Sequence, residues 1–213
     1  TVTPPQTRPL DTACLLLGYD GAKTRKGITY THHALAAACA GQGPALRLNP
    51  SSRVMQISSY STDVALSEIF TTLIHGGCVC VPSAVERTAD FTTAARRMRV
   101  NWTYMTPTLS RRIQPETLTD LAVVCFRTLD LDEDTYAAWA GRTKVLLAYG
   151  SPEVCPLALS TWEIKDPGAL RCIGKPFCGN YWIVNAEDSN RLAPVGAVGA
   201  PVGGVDLLLQ GGD

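Results

Sequence analysis

Short β-branched or aromatic runs alternate with stretches of helical periodicity along most of this chain, and that alternation constrains its fold more than any other feature. Runs at residues 13–17, 54–58, 78–81, 101–105, 121–126 and 144–148 read as strands. Between them, residues 32–40 form a helix pattern with Thr31 placed to cap it and Gly41 placed to end it. Residues 63–75 set Leu66, Ile69, Phe70, Leu73 and Ile74 at helical spacing, and Gly76 and Gly77 stop the run. Helices are also expected at 91–98, from Thr106 with Pro107 in the first turn, and at 132–140. Strands alternating with helices of this length make βαβ units, so the expected fold class is α/β with a mostly parallel sheet. After Pro152 the chain turns rich in Gly and Pro, with strand-like pieces at 181–185 and 205–210, which implies a small β subregion at that end. The expected organisation is a linker-like lead over 1–12, an α/β core over 13–155 and a β-rich end over 156–213.

Composition narrows the functions open to such a fold. With 213 residues, of which 46% are hydrophobic and 18% charged, the chain can bury a sizeable core and is not a disordered segment. Lys plus Arg equals Asp plus Glu at 19 each, which disfavours a dedicated nucleic-acid binder, whose affinity depends on neutralising phosphates. No apolar run approaches the roughly 18 residues that a bilayer crossing needs, and Thr1 to Pro9 carries no basic or apolar leader. A cytoplasmic protein without membrane or nucleic-acid partners is expected. Eight cysteines are present, and Cys14, Cys39, Cys78, Cys80 and Cys125 lie inside apolar runs, where a reduced thiol packs as a small hydrophobe. Cys78/Cys80 and Cys172/Cys178 lack the second pair that a zinc site would need, so no metal is expected.

Chemistry is first suggested by residues 18–27, GYDGAKTRKG, expected between a strand and a helix where backbone amides can cradle a phosphate. No Gly-Lys-Ser/Thr triplet and no dinucleotide fingerprint occurs there, and a solvated basic turn explains the segment equally well. Six motifs read in order change its weight: KGITYTHHAL from Lys26, TDVALSEIFTTLIHGGCVCVPS from Thr62, VNWTYMTPTLSRRI from Val100, AYGSPEV from Ala148, IGKPFCGNYWIV from Ile173 and LAPVGAVGAPVGG from Leu192. In order and spacing they resemble an adenylation domain of fungal nonribosomal peptide synthetases, in the adenylate-forming, AMP-binding superfamily. The resemblance implies the N-terminal region of that fold. It also implies ATP and Mg2+ as cofactors of the intact family, formation of an aminoacyl adenylate, and condensation and carrier-protein domains as neighbours on the same polypeptide.

Residue by residue, the resemblance is incomplete. The family's phosphate loop falls on Gly18, Tyr19, Asp20, Gly21, Ala22, Lys23, Thr24, Arg25, Lys26 and Gly27, and only Lys26 and Gly27 keep its pattern. Its small hydroxyl residues have become Gly18, Tyr19, Gly21 and Ala22, and Asp20 places a negative charge where phosphate would come. Asp63 matches the acid that holds the substrate amine, and Glu68 the acid following it on the same helix. An aspartate starting a helix is also a ready cap, and that role is favoured for Asp63. The family's Gly-Gly-Glu falls on Arg127, Thr128 and Leu129. Tyr149 and Gly150 match the adenine-stacking tyrosine and its turn, and Glu153 the Mg2+ ligand, roles that compete with inherited packing.

The resemblance therefore implies a degenerate, truncated adenylation domain. The lysine-bearing C-terminal subdomain is expected to be absent, together with the electrostatic clamp it supplies. No catalytic residue, metal or cofactor is expected, and the segment serves as a spacer in a peptide or hydroxamate siderophore synthetase. The competing reading is a fragment of an active amino-acid-activating domain.

Overall fold

A computed structural model describes residues 6–19, 25–128, 130–153, 160–172, 174–177, 180–185, 187–188, 190–194 and 200–204. Thr12–Tyr19 (β1) and Arg25–Thr31 (β2) pair antiparallel, with Tyr19 opposite Arg25 and Gly18 opposite Lys26. At both described ends the expected loop from Gly18 to Gly27 is therefore strand, and β2 intervenes before the helix. The run Ile28-Thr29-Tyr30 prefers the pleated surface that Leu15 and Leu16 offer. Residues 20–24, which carry Asp20, Gly21, Ala22, Lys23 and Thr24, lie outside the described residues. β1 is also not the buried strand expected: Leu16 turns inward, while Leu15 and Leu17 alternate outward and are exposed.

Thr31 caps the next helix as expected, its hydroxyl accepting from the Ala34 N–H at 3.1 Å. The helix α1 (His32–Ala45) continues past Gly41, because Gln42 and Gly43 are buried and tertiary packing overrides the weak helix preference of glycine. It ends where Arg47 takes a left-handed φ of 59°.

Five short strands make the parallel part of the main sheet: β3 (Arg53–Met55), β4 (Cys78–Cys80), β5 (Trp102–Met105), β6 (Val123–Phe126) and β7 (Lys144–Tyr149). β8 (Ser160–Glu163) and β9 (Lys175–Pro176) add to it antiparallel, giving the order β4-β3-β5-β6-β7-β8-β9 among the described residues. Successive side chains feed two cores. Met55, Met105, Val124, Phe126, Val145 and Leu147 pack with Phe91 and Trp139 on one face, while Val54, Trp102, Tyr104, Val123, Cys125 and Leu146 pack with Leu46 and Leu48 on the other. Burial on both faces is why these strands read as continuous apolar runs.

The segment after β3 is helical as expected, and its polar side faces inward. It comprises α2 (Asp63–Leu66), a π-helical turn over Ser67–Thr71, and α3 (Thr72–Ile74). Asp63, Ser67, Glu68, Thr71 and Thr72 face inward, whereas Phe70, Leu73 and Ile74 are exposed. The remaining helices are α4 (Ala84–Ala89), α5 (Phe91–Arg97), α6 (Pro107–Ser110) and α7 (Glu133–Ala140).

Past β7, β8 and β9 belong to the main sheet rather than to a separate β subregion. β10 (Asn180–Val184), on the expected 181–185 piece, pairs with β11 (Ala200–Gly204) in a two-stranded sheet of its own. The strand expected at 205–210 lies outside the described residues. Cys39, Cys80 and Cys125 are buried free thiols, but Cys78 on the edge strand and Cys172 are exposed. Among the described residues no helix is long and apolar enough to cross a membrane.

Candidate functional site

A parallel sheet delivers chemistry at the carboxyl ends of its strands, because the connections leaving there converge on one crevice. Asp63 leaves the β3 side, Arg127 follows β6, and Tyr149, Gly150 and Glu153 close or follow β7. Asp63 is only 4% exposed. The Arg127 guanidinium meets it as a fork, Nη1 donating to Oδ1 at 2.9 Å and Nη2 lying 2.8 Å from Oδ2. Nη2 also donates to the Gly150 carbonyl at 3.3 Å, tying β6 to the turn after β7. The helix-cap role expected for Asp63 is thus corrected. Thr62 holds the cap position and the Asp63 carboxylate is engaged by Arg127, since a buried carboxylate gains more from a bidentate cation than from one backbone amide.

A second pair stands at the edge of the same crevice. Lys26 Nζ on β2 lies 3.0 Å from one Glu153 oxygen, and Ser151 donates its hydroxyl to the other. The hydrogen bond from Ser151 and the Lys26 ammonium lower the Glu153 carboxyl to about 2. The Tyr30 hydroxyl donates to the Pro152 carbonyl and so fastens the hairpin to this turn. Half-buried Tyr149 and Gly150 border a cavity of about 310 Å3 with Arg127, Thr128 and Ala148. Lys26 is thus brought to Glu153 and Gly150 to Arg127 beside Tyr149, while Gly27 sits inside β2 opposite Leu17.

The resemblance assigns Mg2+ to Glu153, and a hard cation reaching that carboxylate would have to displace the partners that hold it here. Both Glu153 oxygens are engaged and one already faces an ammonium. Among the described residues no group of three or more His, Cys, Asp or Glu could hold a metal.

Glu68 does not join Asp63. Its carboxylate, 1% exposed, accepts from Gln56 Nε2 at 3.0 Å, from the Ser58 hydroxyl at 2.8 Å and from the Ser58 N–H at 3.2 Å. Burial raises its pKa to about 7 against the pull of these hydrogen bonds. Gln56 in turn accepts from Arg87 Nη2 at 2.8 Å, and the Arg87 guanidinium lies 5.3 Å from the Tyr60 ring centre. Glu68 therefore holds the turn that leads from β3 into Asp63.

The sequence marks Arg127 only as a departure from the family's Gly-Gly-Glu, and it gives no role to Arg87 or Tyr104. Buried Tyr104 meets Trp102 edge-to-face at 4.6 Å, and its hydroxyl lies 3.4 Å from Ser67 Oγ, one turn beyond Asp63. A lone cation directly after a buried strand is the sequence signal for the partner role of Arg127.

The family model for AMP-binding enzymes matches residues 24–202. This chain belongs to that family. It is 33% identical over 206 residues to nonribosomal peptide synthetase TES of Alternaria alternata, covering 96% of this chain and 4% of that protein. To nonribosomal peptide synthetase lenA of Aspergillus lentulus it is 38% identical over 186 residues, 87% of this chain and again 4% of that protein. The chain therefore spans a small fraction of the curated relatives it matches. Among solved structures it resembles the N-terminal subdomain of NpsA from Klebsiella oxytoca, with a TM-score of 0.76 at 18% identity, covering 91% of this chain and 51% of that one. The AMPPNP-bound nonribosomal peptide synthetase FmoA3 gives a TM-score of 0.75 at 20% identity, covering 87% of this chain and 21% of that one. These likenesses show that the chain has the fold of the NpsA N-terminal subdomain.

Proposed function

We propose that this segment does not form acyl adenylates and that it serves as a structural spacer within a fungal nonribosomal peptide synthetase. In this reading it lies between condensation and carrier-protein domains of one cytoplasmic polypeptide engaged in peptide or siderophore assembly. The observation that carries the reading is the Arg127 guanidinium seated on both oxygens of Asp63 and on the Gly150 carbonyl. By the family resemblance, Asp63 is the acid that would hold a substrate amine, and here a residue of the chain itself supplies the cation.

The decisive measurement is amino-acid-dependent ATP–pyrophosphate exchange by the chain. Exchange at the level of the no-enzyme blank supports the reading, and exchange above it for any amino acid overturns it. An active amino-acid-activating segment is the second reading, favoured by Tyr149 and Gly150 lining one cavity and by Lys26 meeting Glu153 on the turn that follows. Calorimetry with ATP and Mg2+ separates the two, since micromolar binding supports activity.

A further inference from the structure

Three acceptor atoms converge on Arg127: Asp63 Oδ1, Asp63 Oδ2 and the Gly150 carbonyl oxygen. Two nitrogens of the one guanidinium serve all three. The parallel N–H vectors of a guanidinium match the two oxygens of a carboxylate, whereas an ammonium directs three tetrahedral donors from a single point. The acceptors are also held in place from outside the ion pair. Asp63 opens a helix whose approach is pinned by Glu68 through Gln56 and Ser58, and Gly150 follows a fully paired strand.

Arg127 is itself not sealed in. Its side chain is 26% exposed and it lines the cavity of about 310 Å3 shared with Thr128, Ala148, Tyr149 and Gly150. The open side of the guanidinium therefore communicates with space that a small molecule can enter.

We propose that Asp63 and the Gly150 carbonyl form a guanidinium subsite that the chain keeps filled with its own Arg127. The contact works as an intramolecular gate: the site admits an external cation only in exchange for Arg127, and the class it then takes is a planar guanidinium rather than an ammonium. Tethering decides the competition in the intact chain. A side chain anchored beside its site acts at an effective concentration of about millimolar or more, so a free amine at micromolar concentration does not displace it. The inference rests on the reading of this cleft as closed, but its test uses neither ATP nor turnover, so each can fail while the other stands.

The test is thermal unfolding of Arg127→Ala titrated with methylguanidinium or methylammonium, each up to about 20 mM. Methylguanidinium is expected to raise the melting temperature of Arg127→Ala in a saturable way, with an apparent affinity at least about tenfold better than that of methylammonium. Wild type and the double variant Asp63→Asn/Arg127→Ala are expected not to respond. An equal response to both cations, no response to either, or a response that survives Asp63→Asn overturns the proposal. Should Arg127→Ala fail to fold, arginine side-chain 15N NMR of the wild-type chain decides. Distinct, slowly rotating Arg127 Nη protons support the filled subsite, and rapidly averaged ones overturn it.

Discussion

At the scale of single residues, the two ion pairs of the crevice differ in what they can hold shut. Lys26 and Glu153 are each nearly half exposed, and such a pair contributes at most about 1 kcal/mol. Asp63 is buried, and removing the partner of a buried charge typically costs about 3–5 kcal/mol. Arg127, not Lys26, is therefore the residue on which closure depends. Glu68 presents the opposite problem, an acid buried beside Gln56, Ser58 and Tyr104 with its pKa raised to about 7. An acid whose folded pKa is raised stabilises the fold fully below its unfolded value, and this contribution is lost as pH climbs from about 4.5 to about 7. The loss amounts to about 3 kcal/mol at most. Glu68→Gln reproduces the neutral carboxyl in shape, so urea denaturation should show wild type weakening across this window while the variant does not. Parallel pH profiles for the two proteins would refute the assignment.

At the scale of elements, what was legible in the sequence followed a simple physical division. β5, β6 and β7 were legible because burial on both faces leaves uninterrupted apolar runs, and α7 because Asp132 accepts from the Thr135 N–H just where its helical pattern begins. α4 was missed although its signal was present: Ser83 and Glu86 form a reciprocal capping box ahead of a helix with no buried residue, so periodicity had nothing to report. The α2–α3 segment is legible as a helix but its facing is not, since sequence pattern alone does not say which face has a partner. Its inner face is instead tied by polar contacts, Thr71 to Gln42 and Glu68 to Ser58. α1 does not end at Gly41 but runs on to Ala45, past a second glycine. Gly43 lies against the His75 ring, and a Cβ there would come within 1.9 Å of Nε2, the nitrogen paired with the Cys39 carbonyl at 3.2 Å. Gly43 thus marks a close approach between α1 and the end of α3. Gly43→Ala should cost about 1–3 kcal/mol, and adding His75→Ala should recover part of that in urea denaturation. A double variant less stable than Gly43→Ala alone would show that the contact is not what the glycine serves.

At the scale of the whole molecule, the polar inner face of the α2–α3 segment leaves its apolar side on the surface. Phe70, Leu73 and Ile74 are exposed on one helical segment, Val81 and Val85 are exposed shortly beyond β4, and β4 is itself an edge of the main sheet. Contiguous exposed apolar groups and an uncovered strand edge both favour association. Charge provides no counterforce, because the formal net charge is zero and copies of the chain do not repel one another. The chain in isolation should therefore self-associate in a concentration-dependent way at neutral pH. Leu73→Glu combined with Ile74→Lys keeps the net charge at zero while removing apolar area, so it separates the patch from overall charge as the cause. Sedimentation velocity should show association for wild type and a smaller species for the double variant at equal concentration, with circular dichroism and melting temperature little changed because both side chains face outward. Equal sedimentation of the two proteins would instead assign association to the β4 edge, which these substitutions leave intact.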